Sequence, residues 1–167
     1  MSGNPYNGFS WSERMAKYKE MQRRIASGVL ASPTAPCQLC SQPASLDPAI
    51  SFEYHDEDYS QEYSWTAPAV YILCRGCHIY RIHQRFTHPV SWAGFLAHVR
   101  RGGFASEMKE PAVSKELSAY NNALRVGASL PVLKSLRPYK QIAGMEWFAN
   151  LSSDPAAKPF QQVANAP

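Results

Sequence analysis

Four cysteines constrain the chemistry of this chain more than any other residues. Cys37-Gln-Leu-Cys40 and Cys74-Arg-Gly-Cys77 are two C-x-x-C pairs 33 residues apart, and the 167-residue sequence holds no further cysteine. Each pair can curl around one face of a metal ion, and together they supply the tetrahedral four-sulfur set that Zn²⁺ prefers. With all four positions taken by cysteine none is left for water, so the spacing predicts a structural zinc site. The gap is longer than in a simple zinc ribbon and must contain folded structure.

A second group of side chains could move protons or hold a divalent ion. Glu53-Tyr54-His55-Asp56-Glu57-Asp58-Tyr59 lies between the cysteine pairs, and Cys77 runs on into His78-Ile-Tyr-Arg-Ile-His83. Three of the five histidines therefore sit in one short region beside a cluster of carboxylates. Glu57 and Asp58 are either solvated loop residues or positioning groups for a metal or a histidine. His88 and His98 read as structural or surface residues. Arg75, Arg81 and Arg85 flank the region and suit backbone-phosphate contacts, because a guanidinium grips phosphate bidentately.

The elements that must position these groups follow from periodicity. Ile50, Phe52 and Tyr54 alternate with Ser51, Glu53 and His55, which predicts a strand whose apolar stripe excludes His55. Val70-Tyr71-Ile72-Leu73 predicts a second strand leading into Cys74, and a short helix is expected from there to Phe86. On the N-terminal side, Ser10 and Glu13 form a capping box for a helix over about 11–27, with Arg14, Lys17, Lys19, Arg23 and Arg24 on its basic face. Residues 28–49 carry Pro33, Pro36, Pro43 and Pro48 and read as loop. Further helices are expected after Ser91, up to Gly102-Gly103, and from Pro111 to near Gly127. Ile142, Met145 and Phe148 suggest a last short helix, followed by a loose polar tail.

With 45% hydrophobic and 18% charged residues, the composition is that of a globular protein rather than a disordered one. No apolar run is long enough to span a bilayer, and the polar N-terminus lacks a signal-peptide layout, so no membrane association and a cytoplasmic location are expected. A net charge of +4 permits nucleic-acid binding without requiring it.

The order C-x-x-C, strand ending in a His/Asp motif, strand, L-C-x-x-C-H and helix with a further histidine resembles the HNH nucleases. It is most similar to their zinc-stapled, endonuclease-VII-like branch with the ββα-metal fold. The resemblance covers roughly residues 35–88. It implies that two strands and a helix clamp one divalent ion such as Mg²⁺, Mn²⁺ or Ni²⁺. A histidine at the end of the first strand is the general base, an adjacent residue holds the metal, and a helix histidine completes the site. Carried over, His55 and Asp56 share the base and metal roles, His78 is a metal ligand, and His83 is a possible further ligand.

The chain departs from the family pattern twice. The strand ends His55-Asp56 where the family often has the base second. His78 and His83 are five apart instead of four, which on an α-helix separates them by about 140°. The expectation is thus an α+β protein with a zinc-stapled ββα-metal core over 35–90. A helical extension over 1–34, a helical region over 91–151 and a flexible tail over 152–167 flank it. The expected function is a metal-dependent HNH-type endonuclease hydrolysing DNA. The alternative is a catalytically silent zinc-binding module that binds DNA or a protein partner, such as an adaptor or inhibitor from a mobile element. The pattern leaves the oligomeric state open.

Overall fold

The computed structural model describes residues 5–139 and 146–157. Helix α1 spans Trp11–Ala26, and its capping box is formed as the sequence predicts, with Ser10 and Glu13 each bonding the other's backbone N–H. Strands β1 (Phe52–Asp56) and β2 (Val70–Cys74) make one antiparallel hairpin in which His55 faces Tyr71 and Phe52 faces Cys74. After β2 come a short helical turn α2 (Arg75–Cys77), a π-helical turn over His78–Ile82 and helix α3 (Gln84–Thr87). Helices α4 (Pro89–Val99) and α5 (Pro111–Val126) flank a 3₁₀ turn over Ala105–Lys109. The architecture is α+β. Among the described residues, no helix is long and apolar enough to cross a membrane.

The C-terminal boundaries follow local chemistry. Proline opens α4 and α5 at positions where a missing N–H costs nothing. Gly127 closes α5 in the left-handed conformation, φ 66°, which glycine adopts without strain. Helix α4 begins at Pro89, before the expected Ser91 cap, because proline fixes the first helical φ. The helix expected around Phe148 is a 3₁₀ turn over Trp147–Asn150; Ile142 and Met145 lie outside the described residues.

The core gathers Leu39, Leu73, Ile82, Phe95 and Val99 around the four cysteines, with Phe148 closing it. Gly76 lets the second cysteine turn approach the 3₁₀ segment, since a Cβ there would lie 2.9 Å from the Ala105 Cβ. The period-two reading of β1 identifies the strand but not its burial. Phe52, Glu53 and Tyr54 are half-buried, whereas His55 and Asp56, on opposite faces, are both buried. The face with Glu53 and His55 is covered because the segment from α2 to α3 brings its own polar side chains to meet it.

The basic face of α1 is not a free cationic surface. Lys17 is fully buried, 2.8 Å from the Asp56 carboxylate, and donates to the Asp58 carbonyl at 2.5 Å. Its ammonium lies within 6.0 Å of the Tyr59, Tyr63 and Trp65 rings. Arg23 and Arg24 are paired with Glu20 one turn back. Lys17→Met should therefore destabilise the fold by about 3–5 kcal/mol, because it leaves Asp56 charged and unpaired in the interior. Arg23→Ala, on an exposed pair, should change stability little. Urea melts of the two variants test this, and equal shifts would contradict it.

Candidate metal centres

The first centre is the cysteine cluster. Cys37, Cys40, Cys74 and Cys77 are all buried and form no disulfide, and their sulfurs lie within 4.8 Å of one another. The Cys40 and Cys74 sulfurs are 3.8 Å apart. That matches the edge of a tetrahedron with metal–sulfur bonds of ~2.3 Å, about 3.8 Å. The Leu39 N–H reaches the Cys37 sulfur at 3.5 Å, and the Gln38 N–H bonds the Ile72 carbonyl at 2.8 Å, tying the first turn to the outer edge of β2. Four buried thiols gathered in this way are a set that could hold a metal ion such as zinc.

The second centre is built on the inward face of the hairpin. His55, His78 and His83 bring one ring nitrogen each within 4.8 Å of the others. The five-residue spacing that separates His78 from His83 on an α-helix is absorbed by the π turn. An i→i+5 turn carries one extra residue per turn and brings positions five apart onto one face. His55 is opposed by both, at ring-centroid distances of 5.1 Å from His78 and 6.3 Å from His83.

Carboxylates orient two of the three rings. His55 Nε2 meets Glu57 Oε1 at 2.5 Å, and His78 Nδ1 meets Glu53 Oε2 at 2.7 Å. An ionised carboxylate only accepts, so the proton sits on His55 Nε2 and on His78 Nδ1. The opposite nitrogens are His55 Nδ1 and His78 Nε2. His55 Nδ1 is buried and has no hydrogen-bond partner among the described residues. Burial pushes the His55 pKa down to about 4, against the pull of Glu57, so its ring is neutral near pH 7. Burial also lowers His83, to about 3, with His55 and His78 adding to the effect. Three imidazoles with ring nitrogens within 4.8 Å of one another, two of them backed by carboxylates, are a set that could hold a metal ion.

Glu57 is held in turn by a buried network. It accepts from the Tyr6 hydroxyl at 2.8 Å, from Asn7 Nδ2 at 2.5 Å and from Arg85 Nη2 at 3.1 Å. Burial alone would raise its pKa, but the His55 hydrogen bond and the Arg85 charge outweigh it and hold Glu57 at about 2. The N-terminal segment around Tyr6 thus belongs to the site. No motif in the sequence announces it, since Tyr6 and Asn7 lie 51 and 50 residues from Glu57 in the chain.

Two expected site residues are placed elsewhere. Asp56 lies on the opposite face of β1, because successive strand residues alternate, and its carboxylate is committed to Lys17. Arg85, expected on a phosphate-contacting surface, is instead 1% exposed. All five of its N–H groups are used by Tyr6, Asn7, Glu57 and the carbonyls of Ile82 and Ser152. A guanidinium locked in this way has no donor left for a phosphate, and it serves instead to fix Glu57. Arg75 is exposed, 3.6 Å from Glu53, and Arg81 is half-buried with its guanidinium over Phe95. His98 is buried against Phe104 and Glu107, as a structural histidine should be, and His88 is exposed.

Trp147 closes one side of the histidine cluster. It stacks on Tyr71 at 3.6 Å, lies 6.2 Å from the His55 ring, and donates its indole N–H to the Gln38 carbonyl at 2.9 Å. Comparison of the chain with protein-family models, with curated proteins and with solved structures gives no match.

Proposed function

We propose that the protein is a metal-dependent endonuclease of the HNH type. In this reading the β1–β2 hairpin and the helical run after it form a zinc-stapled ββα-metal core. The single observation that supports it most is that His78 and His83, across the π turn, each bring a ring nitrogen within 4.8 Å of one on His55.

His78 and His83 would hold a divalent ion, with phosphate oxygens and water completing its shell. Such an ion neutralises the charge growing on the phosphate and on the leaving 3′ oxygen. Imidazole donors favour Ni²⁺ or Zn²⁺ here over Mg²⁺, which prefers oxygen ligands. His55 would act as general base. Its neutral ring presents a lone pair at Nδ1 to the attacking water, and Glu57 keeps the proton of the other nitrogen in place. As the ring takes a second proton, Glu57 at 2.5 Å stabilises the imidazolium. Glu53 has the parallel role for His78, holding its Nε2 toward the ion. Zn²⁺ at the four cysteines would have a structural role.

Incubation of the zinc-loaded protein with supercoiled plasmid and Mg²⁺, Mn²⁺, Ni²⁺ or added Zn²⁺ tests this. Nicked or linear product is expected with at least one ion, most strongly with the ions that imidazole favours. No cleavage of any DNA form with any of them would favour the silent zinc-binding module.

A further inference from the structure

We propose that the groove beside the second cysteine pair binds an unpaired stretch of nucleic acid next to the bond that is cleaved. The inference rests on the nuclease reading for its substrate class, but it has its own evidence. The groove has a volume of about 820 Å³ and runs along α2 and the 3₁₀ turn, outside the histidine cluster. This falls within the ~300–1,000 Å³ of ordinary ligand sites.

Three features of its lining point to one kind of occupant. Arg75, Arg81 and Lys109 line it against a single carboxylate, Asp47, so it is cationic. Among the described residues, Arg81 makes no hydrogen bond or ion pair with a carboxylate; its ring contact with Phe95 leaves its N–H groups for an anion. Tyr80, which also lines the groove, is 53% exposed and offers a bare aromatic face. The groove thus combines an anion site and a stacking platform. A nucleotide carries the matching phosphate and π-face. An unpaired base can reach Tyr80, whereas a base stacked inside a duplex cannot. An acidic peptide would satisfy the arginines but leave the ring unused.

The groove is also in register with the histidine cluster. Glu53 bridges them, with one oxygen 2.7 Å from His78 and the other 3.6 Å from Arg75. A strand whose phosphate lies at His78 and His83 therefore continues into the groove past Arg75. This makes the preferred substrate one with an unpaired segment beside the cleaved bond.

The test is fluorescence anisotropy of the zinc-loaded full chain, without added divalent ion. It compares a labelled single-stranded oligonucleotide with its duplex, between about 50 and 200 mM salt. The single strand should bind tighter than the duplex. Tyr80→Ala should weaken single-strand binding roughly 5- to 150-fold with the salt slope unchanged, and Tyr80→Phe should restore it. Arg81→Gln should lower the salt slope by about 0.7, the share of one phosphate contact on a single strand. Zinc content and melting temperature of each variant confirm that it is folded. Parent-like binding by both Tyr80→Ala and Arg81→Gln would overturn the proposal. So would preference for the duplex, or competition by polyglutamate as strong as by the oligonucleotide. Binding with the expected pattern in a protein that cleaves no DNA keeps the groove and removes the nuclease reading. Cleavage with both variants binding like the parent does the reverse.

Discussion

Loss of the metal from the cysteine cluster, by chelation or by Cys74→Ser, should unfold the centre of the molecule rather than only inactivate it. Structural zinc contributes folding free energy on the order of 10 kcal/mol, comparable to the whole stability of a typical domain. The geometry explains why the loss cannot stay local. Cys74 is the last residue of β2 and Cys77 the last of α2, and both are packed in the core with Leu39, Leu73, Ile82 and Phe95. The first cysteine pair is carried by a loop with no regular element between α1 and β1, so the cluster is its main anchor. Circular dichroism and thermal melts, with metal content measured alongside, should show a cooperative loss of structure. An unchanged melt after complete metal removal would sink the structural assignment. His83→Ala is the internal control. It should shed the ion of the histidine centre and keep that of the cysteine centre, with the fold intact.

The parts legible in the sequence are those fixed by short-range rules. The capping box of α1, the proline and glycine bounds of α5, the two strands and the paired cysteines all depend on residues a few positions apart. The faces of β1 depend on partners distant in the chain. The alternation of Ile50, Phe52 and Tyr54 with polar residues suggests an apolar inner face. The polar face is nevertheless covered as well, because His78 and Arg85 approach it with matching groups for Glu53 and Glu57. Lys17 shows the same limit. On a helical projection it is one of five basic residues, yet it is buried because Asp56 and three aromatic rings from the segment after β1 surround it.

The π turn is the most informative case. An ideal 100° step per residue places His83 away from His78, and nothing local in His-Ile-Tyr-Arg-Ile-His signals a wider turn. The turn forms where the chain must satisfy two anchors at once. Cys77 is buried at the cysteine cluster, and Arg85 is pinned by five hydrogen bonds to Tyr6, Asn7, Glu57 and the carbonyls of Ile82 and Ser152. A π turn is rare and is found frequently at functional sites. Here it aligns the two histidines that a regular α-helix would part.

The sharpest separation of roles within that centre is between His55 and His83. His55→Gln should lower cleavage by about 10²–10⁴-fold, the usual contribution of a positioned base, while leaving the metal content at that of the parent. Glutamine is the informative substitution because its side-chain amide can still donate to Glu57. Alanine would strip a partner from a buried carboxylate in a site where His55 is only 1% exposed, mixing stability with chemistry. His83→Ala and His78→Ala should instead lose the second ion together with activity, and excess metal should restore part of the activity. Asp56→Asn should lower the melting temperature, through its pair with Lys17, without changing metal content, since its carboxylate faces away from the cluster. Activity, metal stoichiometry and melting temperature, measured on the same preparations, tell these cases apart. If His55→Gln also sheds the second ion, His55 is a third ligand and the base assignment falls. If all three histidine variants cleave like the parent, the histidine cluster is not the catalytic centre and the silent-module reading takes its place.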